Sequence, residues 1–170
     1  SIIYNLISSK AVPEVIAENG GVGIRSRVGH SYIKSMMAQT GAVFGGEHSG
    51  HFYFNDFWRA DSGMLAALYA LAELMGSNST LSELLKPYNR YISSGEINTK
   101  VKDVTKSISR IRDKYHGKYQ VDELDGLTIT ASTWWFNLRP SNTEPLLRLN
   151  VEADTEKEMI KIRDAVLALI

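Results

Sequence analysis

Between residues 45 and 51 the chain reads Gly-Gly-Glu-His-Ser-Gly-His, three glycines interleaved with a carboxylate, two imidazoles and a hydroxyl. Glycines let a backbone turn tightly and approach a ligand closely. Glu47 offers two acceptor oxygens at fixed geometry, which suits a pair of vicinal hydroxyls. Ser49 can donate or accept, and His51 titrates near neutral pH. The same residues could equally make a glycine-rich turn whose polar groups face water. A second cluster, Arg139-Pro140-Ser141-Asn142-Thr143-Glu144-Pro145, holds a guanidinium, two hydroxyls, an amide and the N–H groups of a tight loop. Those are the parts of a phosphate cradle, and two prolines would lower its ordering cost. The competing reading is a hairpin with a polar tip, against which its length argues. His30, with Lys34 one turn further on, could meet an anion at a positive helix end, or could simply be a polar residue at a helix start.

The elements that must position these groups divide at Pro87. Before it, short apolar strands alternate with helices: a strand opens the chain, a helix spans 12–19, and a strand follows over 22–27. Ile33, Met36 and Met37 share a helical face, and strands follow at 42–44 and 52–54. The segment 64–75 is apolar almost all round and should be buried on more than one side. Thr80-x-x-Glu83 is a capping box, and Pro87 ends its helix. After Pro87 the chain looks extended to Val101, then Val104, Ile108, Ile111 and Tyr115 mark an amphipathic helix. Leu127 to Thr130, alternating Trp134/Phe136/Leu138 and alternating Leu147/Leu149/Val151 read as strands. Thr155-x-x-Glu158 caps a closing helix striped with Met159, Ile162, Val166 and Leu169. The fold class is α/β: an α/β/α layered domain over 1–87, then a small α+β domain over 88–170 with an antiparallel sheet flanked by helices.

Composition narrows the function. With 19 basic and 19 acidic side chains and zero net charge, the chain lacks the electrostatic footprint of a nucleic-acid binder. Without cysteine it has neither disulfides nor thiolate metal sites, and it suits a reducing compartment. No apolar run spans a bilayer and no leader is visible, so a cytoplasmic protein with no membrane partner is expected. No carboxylate cluster resembles a metal site. The chain opens directly on a strand-like Ser1-Ile2-Ile3-Tyr4 with no Met, which suggests a piece of a longer protein. Removal of a Met before Ser1 would leave the same sequence.

Gly46-Glu47-His48-Ser49-Gly50-His51 resembles the sugar-binding signature Gly-Glu-x-Ser-Gly-His of the α-D-phosphohexomutases. The 139–145 loop, followed by Arg148, looks like the phosphate-binding loop of their last domain. Val28-Gly29-His30-Ser31-Tyr32-Ile33-Lys34 is similar to a stretch preceding the sugar loop. These motifs fall in the family's order, and the bacterial phosphomannomutase/phosphoglucomutase branch matches best. The resemblance covers only the third and fourth of the family's four domains. It implies an isomerase of the phosphotransferase kind, interconverting hexose 1-phosphate and hexose 6-phosphate through a bisphosphorylated sugar. Glu47 and Ser49 would hold the 3- and 4-hydroxyls in both sugar orientations, with His30 and Lys34 as further substrate contacts. Arg139, Ser141, Asn142, Thr143 and Arg148 would hold the phosphate not being transferred, and His51 would be the general acid/base. Two family motifs are missing: the Ser-His-Asn-Pro-type loop bearing the phosphoserine and the Asp-Gly-Asp-x-Asp-Arg-type loop holding Mg²⁺. Both cofactors are expected on N-terminal domains of the same enzyme, which are partners of this chain together with the hexose phosphate. The chain alone is therefore expected to be catalytically incompetent. A position often basic in the family is Ile7 here, with Lys10 the nearest cation. Alternatives from other classes are a stand-alone phosphosugar- or anion-binding module and a non-catalytic structural remnant.

Overall fold

The computed structural model describes residues 1–141 and 144–170. Among them are six α-helices and two five-stranded sheets, and the chain divides into compact units Ser1–Arg90 and Tyr91–Ile170.

In the first unit the strands are β1 (Ile2–Asn5), β2 (Gly23–Ser26), β3 (Phe44–Gly46), β4 (Phe52–Phe54) and β5 (Ala60–Asp61). Their order is β2-β1-β3-β4-β5. The first three are parallel, and β4 and β5 return antiparallel at the edge. The helices are α1 (Ala11–Glu18), α2 (His30–Thr40), α3 (Gly63–Gly76) and the short α4 (Leu81–Leu85). Residues alternate across the pleat, so each sheet face has its own composition. Ile3, Gly45 and Tyr53 face α2 and form the core with Ile33, Met37 and Ala42, all of them buried. Gly45 is needed there, because a β-carbon would come within 2.7 Å of Ile33 Cγ2. The third strand accordingly runs two residues past Phe44, and the polar turn shortens to Glu47–His51. The opposite face presents Ile2, Tyr4, Phe44, Phe52 and Phe54, all only partly buried.

The Thr80–Glu83 signal read from sequence holds in atomic detail. Thr80 Oγ1 accepts from Glu83 N–H while the Glu83 carboxylate accepts from Thr80 N–H, completing the capping box of α4. Gly41, in the left-handed region at φ +66°, ends α2. The expected burial of α3 does not hold. It has no buried residue, and Met64, Leu68, Leu71 and Met75 form an outward stripe from 53% to 85% exposed. An all-round apolar pattern reports a helix's need for cover, and the described residues supply contacts on one side only, where Tyr69 stacks on Phe54.

The second unit is built on β6 (Ile92–Lys100), β7 (Gln120–Asp122), β8 (Leu127–Thr130), β9 (Trp134–Pro140) and β10 (Leu146–Ala153), with α5 (Val104–Tyr115) and α6 (Glu156–Leu167). The sheet is antiparallel throughout, in the order β6-β10-β9-β8-β7. One face supplies Ile129, Phe136, Leu138, Leu147, Leu149 and Val151 to a core closed by Ile111 and Tyr115 of α5 and Met159, Ile162 and Val166 of α6. The other face is polar, with Thr128, Asn137, Arg139, Arg148 and Glu152. The alternation of β9 and β10 is therefore the expected one. Strand β7 escaped the sequence reading, being three residues long with a single apolar side chain.

Candidate functional site

In an open α/β sheet, helices leave opposite faces where the strand order reverses, and the carboxyl ends of the strands there frame a crevice. In this sheet that crevice lies between β1 and β3. Asn5, Ser26 and Glu47 stand at or just beyond the ends of β1, β2 and β3, and all three are buried although polar. The Asn5 amide nitrogen and the Ser26 hydroxyl have no hydrogen-bond partner among the described residues.

Glu47 is the best-anchored group of the cluster. Only 6% exposed, it accepts from Gly29 N–H through Oε2 at 2.8 Å and from Tyr53 O–H through Oε1 at 2.7 Å. One carboxylate thus joins the start of α2 to the middle of β4, and places negative charge at a positive helix end. Burial, and then the bond to Glu47, push the Tyr53 phenol well above its usual range, so it stays a donor at any physiological pH. The turn beyond is closed by Glu47 N–H to His51 O and Gly50 N–H to Glu47 O. Gly50 has φ +85°, and Ser49 is exposed at the tip.

His51 is organised by a residue that sequence reasoning missed. Its Nδ1 lies 2.5 Å from Asp61 Oδ2, and Asp61 Oδ1 accepts from Phe52 N–H at 2.9 Å. The hydrogen bond to Asp61 raises the His51 pKa above its ordinary value, slight burial opposing and the charges of Asp61 and Glu47 adding to it. Asp61 in turn has its carboxyl lowered: burial works against this, but the His51 bond, the Phe52 N–H and the charges of His51 and His30 prevail. His30 therefore shares an electrostatic neighbourhood with the pair. It opens α2 and is exposed, as is Lys34 one turn on. Asp61 is brought in by the register Tyr53↔Asp61. Its only sequence signal was an acid in a two-residue strand. Ile7 is buried, and Lys10 pairs with Glu14 at 3.8 Å.

In the second unit Arg139 and Arg148 lie directly opposite each other in the β9–β10 register. Like charges so placed repel. Here they share one carboxylate, Glu96 of β6, at 3.4 Å from Arg139 and 3.3 Å from Arg148. Arg139 is 13% exposed in its side chain, and the Nε atoms of both arginines are buried with no hydrogen-bond partner among the described residues. Ser141 N–H is bonded to Leu146 O, so that amide is not available to a cradle. Asn142 and Thr143 lie outside the described residues. Gly126, at φ +71°, packs against β9 where a β-carbon would fall 2.5 Å from Leu138 O and 2.6 Å from Arg139 Cβ.

No group of three or more His, Cys, Asp or Glu among the described residues could hold a metal ion. Nor is any helix of described residues long and apolar enough to cross a membrane.

A switch-point crevice on a mixed sheet, followed by an antiparallel sheet with facing cations, defines a two-domain α/β protein. The family model described as phosphoglucomutase/phosphomannomutase, alpha/beta/alpha domain III, matches residues 1–91. The model for that family's C-terminal domain matches residues 96–169. The chain belongs to the phosphoglucomutase/phosphomannomutase family. It is 49% identical over 158 residues to a phosphomannomutase of Methanocaldococcus jannaschii, covering 93% of this chain and 35% of that one. A phosphomannomutase of Escherichia coli is 39% identical over 160 residues, with 92% and 35% covered. Among solved structures, a phosphoglucomutase/phosphomannomutase family protein of Burkholderia thailandensis superposes with a TM-score of 0.84 at 29% identity, over 99% of this chain and 36% of that one. The chain thus spans about a third of the length of the relatives it matches.

Proposed function

We propose that the two units are the substrate-gripping portion of a phosphohexomutase, which moves phosphate between the 1- and 6-positions of a mannose or glucose phosphate. The phosphoserine and Mg²⁺ expected on further domains would supply the transferred phosphoryl group and neutralise its charge. The residues present here bind, orient and move protons. A carboxylate has about four acceptor positions, and Glu47 uses two on Gly29 and Tyr53. The other two can take neighbouring sugar hydroxyls, and Ser49 at the turn tip can take part in the same grip. With Nδ1 committed to Asp61, His51 holds or receives a proton at Nε2, and the bond to Asp61 shifts it toward the protonated form. Arg139 and Arg148 hold the phosphate that is not transferred, with Ser141, Asn142 and Thr143 as further donors beside them. His30 and Lys34 are further contacts at the start of α2. A cytoplasmic setting fits the absence of cysteine.

The observation that carries this reading is the facing arginine pair sharing one carboxylate, an arrangement that a phosphate dianion would complete. Calorimetric and NMR titration of the 170-residue chain tests it. Glucose 1-phosphate and mannose 6-phosphate should bind saturably, perturbing both the Glu47 turn and the arginine pair, while unphosphorylated glucose should not bind. The purified chain should show no mutase turnover. Turnover by the chain alone, or phosphosugar binding unaffected by loss of Arg139, would overturn the reading.

A further inference from the structure

Among the described residues the two oxygens of Glu47 are met alike. Oε2 accepts from Gly29 N–H at 2.8 Å, and Oε1 accepts from Tyr53 O–H at 2.7 Å. The donors come from separate elements, Gly29 just before α2 and Tyr53 in the middle of β4. Tyr53 pairs with Gly45 across the β3–β4 register. Glu47 follows Gly45 by two residues, so phenol and carboxylate stand on the same side of the sheet. Tyr53 is fully buried in the cluster of Ile3, Ile33, Met37 and Ala42, and a close-packed core holds its ring in place. Such a core does not itself require a hydroxyl, which costs stability there unless it is hydrogen-bonded. A phenylalanine ring would fill the same space, so the Tyr53 oxygen is accounted for by what it does to Glu47.

Equal treatment of the two oxygens has a chemical consequence. Each carboxylate oxygen has about two acceptor positions, so one donor apiece leaves about one on each for a ligand. Hydrogen bonds polarise the groups they join, and donors at matched distances leave the two oxygens comparable as acceptors. Moving phosphate between the two ends of a hexose requires the sugar to be held with either end forward. Turning the ring end for end exchanges the places of its 3- and 4-hydroxyls. A carboxylate with one oxygen satisfied and the other bare would favour one of these arrangements and hold back the other. Gly29 contributes a main-chain N–H that no side chain can alter, so Tyr53 is the half of the balance that the sequence can set.

We infer that Tyr53 is a positioning residue for the sugar grip: its hydroxyl balances the Gly29 amide across Glu47, so that the 3- and 4-hydroxyls can exchange oxygens and a hexose phosphate is held alike in both orientations. This rests on the reading of Glu47 as the sugar-binding group. Tyr53 acts through the carboxylate and touches no ligand itself. Its contribution is evenness between two bound arrangements rather than strength in either one.

Tyr53→Phe removes the hydroxyl and keeps the ring. Calorimetric titration of the 170-residue chain with glucose 1-phosphate and with glucose 6-phosphate gives a ratio of affinities that compares the two orientations. In Tyr53→Phe that ratio should move by about threefold or more from the wild-type value, the size expected from losing one hydrogen bond on one side only. Affinity for inorganic phosphate should stay as it was. Ile3→Val loosens the same core without touching Glu47, and should leave the ratio in place even where it lowers both affinities. A second measurement needs no variant. Deleting the 3- or the 4-hydroxyl from glucose 1-phosphate should weaken wild-type binding by factors within about twofold of each other, because each loss empties one of two equivalent oxygens. Equal loss of both sugar phosphates in Tyr53→Phe, an unchanged ratio, or a shift matched by Ile3→Val would overturn the inference and leave the functional reading standing. So would strongly unequal costs for the two deoxy sugars. Failure of the wild-type chain to bind either sugar phosphate would instead overturn the functional reading, and the inference with it.

Discussion

The Glu47 turn and the arginine pair both gather charge on interior strands of a sheet, yet they are built on opposite principles. Glu47 is a single anion whose two oxygens are already met by a backbone N–H and a phenol. Its geometry is complete without ligand, and whatever it holds is read by rigid acceptors. Arg139 and Arg148 are two cations on one anion, with both Nε atoms lacking a partner among the described residues. Under the proposed function a further anion would complete that arrangement. The difference separates a residue that stabilises its fold from residues that the fold tolerates, and substitutions should therefore change stability in opposite directions at the two places.

The largest effect is expected at Glu47. Glu47→Ala strands the Gly29 N–H and the Tyr53 hydroxyl, and leaving buried groups unsatisfied should cost about 3 kcal/mol in urea denaturation. If stability were unchanged, Glu47 would be a ligand group only and the contrast would collapse. Next comes Arg139→Met, which should weaken phosphate binding about tenfold or more, given about 1.5–3 kcal/mol for a hydrogen bond to a charged group. It should leave stability level or slightly raised, because the facing repulsion is relieved. Denaturation and phosphate titration on one preparation read both signs. Glu96→Gln sharpens the same point in reverse: it removes the competing anion, so phosphate should bind several-fold tighter while the unliganded unit loses about 1 kcal/mol or less. Loss of phosphate affinity in that variant would make Glu96 part of the cradle rather than its occupant.

The smallest effect concerns His51. Asp61→Asn should bring the His51 pKa, followed by NMR, down toward its ordinary value. For stability the signs are opposite for the two partners. The raised His51 contributes below its ordinary pKa and loses that contribution as pH rises through its folded value. The lowered Asp61 contributes above its ordinary pKa and loses it as pH falls through its folded value. The stability gap between wild type and Asp61→Asn should therefore be widest between those limits and close on both sides. Since the pair is exposed, the gap should be small. A gap independent of pH would mean that Asp61 matters only for its bond to Phe52 N–H.

Much of this was legible before any coordinates, for reasons that are local. Alternation in β9 and β10, the stripe of α6 and the Thr80–Glu83 box depend on neighbours within a few residues, and each formed as read. What could not be read depends on register. Glu47 was legible as an acceptor, but that Gly29 and Tyr53 would engage it required β3 to pair with both β1 and β4. Asp61 reaches His51 through a two-residue strand too short to show a period. Glu96 lies in a segment correctly read as extended, yet its meeting with two arginines needed β6 beside β10 in one particular alignment. For α3 the pattern correctly reported apolar faces, and could not report that the described residues would leave one of them bare.

Gly126 touches no ligand group and bears no charge, but it fixes where β9 can lie at Arg139. Any side chain there would have to lift the strand's backbone, since the nearest obstacle is a main-chain carbonyl rather than a movable tip. The aim of the guanidinium is thus set by an uncharged turn thirteen positions upstream in the chain. A survey confined to the cationic loop would find every expected residue intact and still miss the single replacement able to misdirect it.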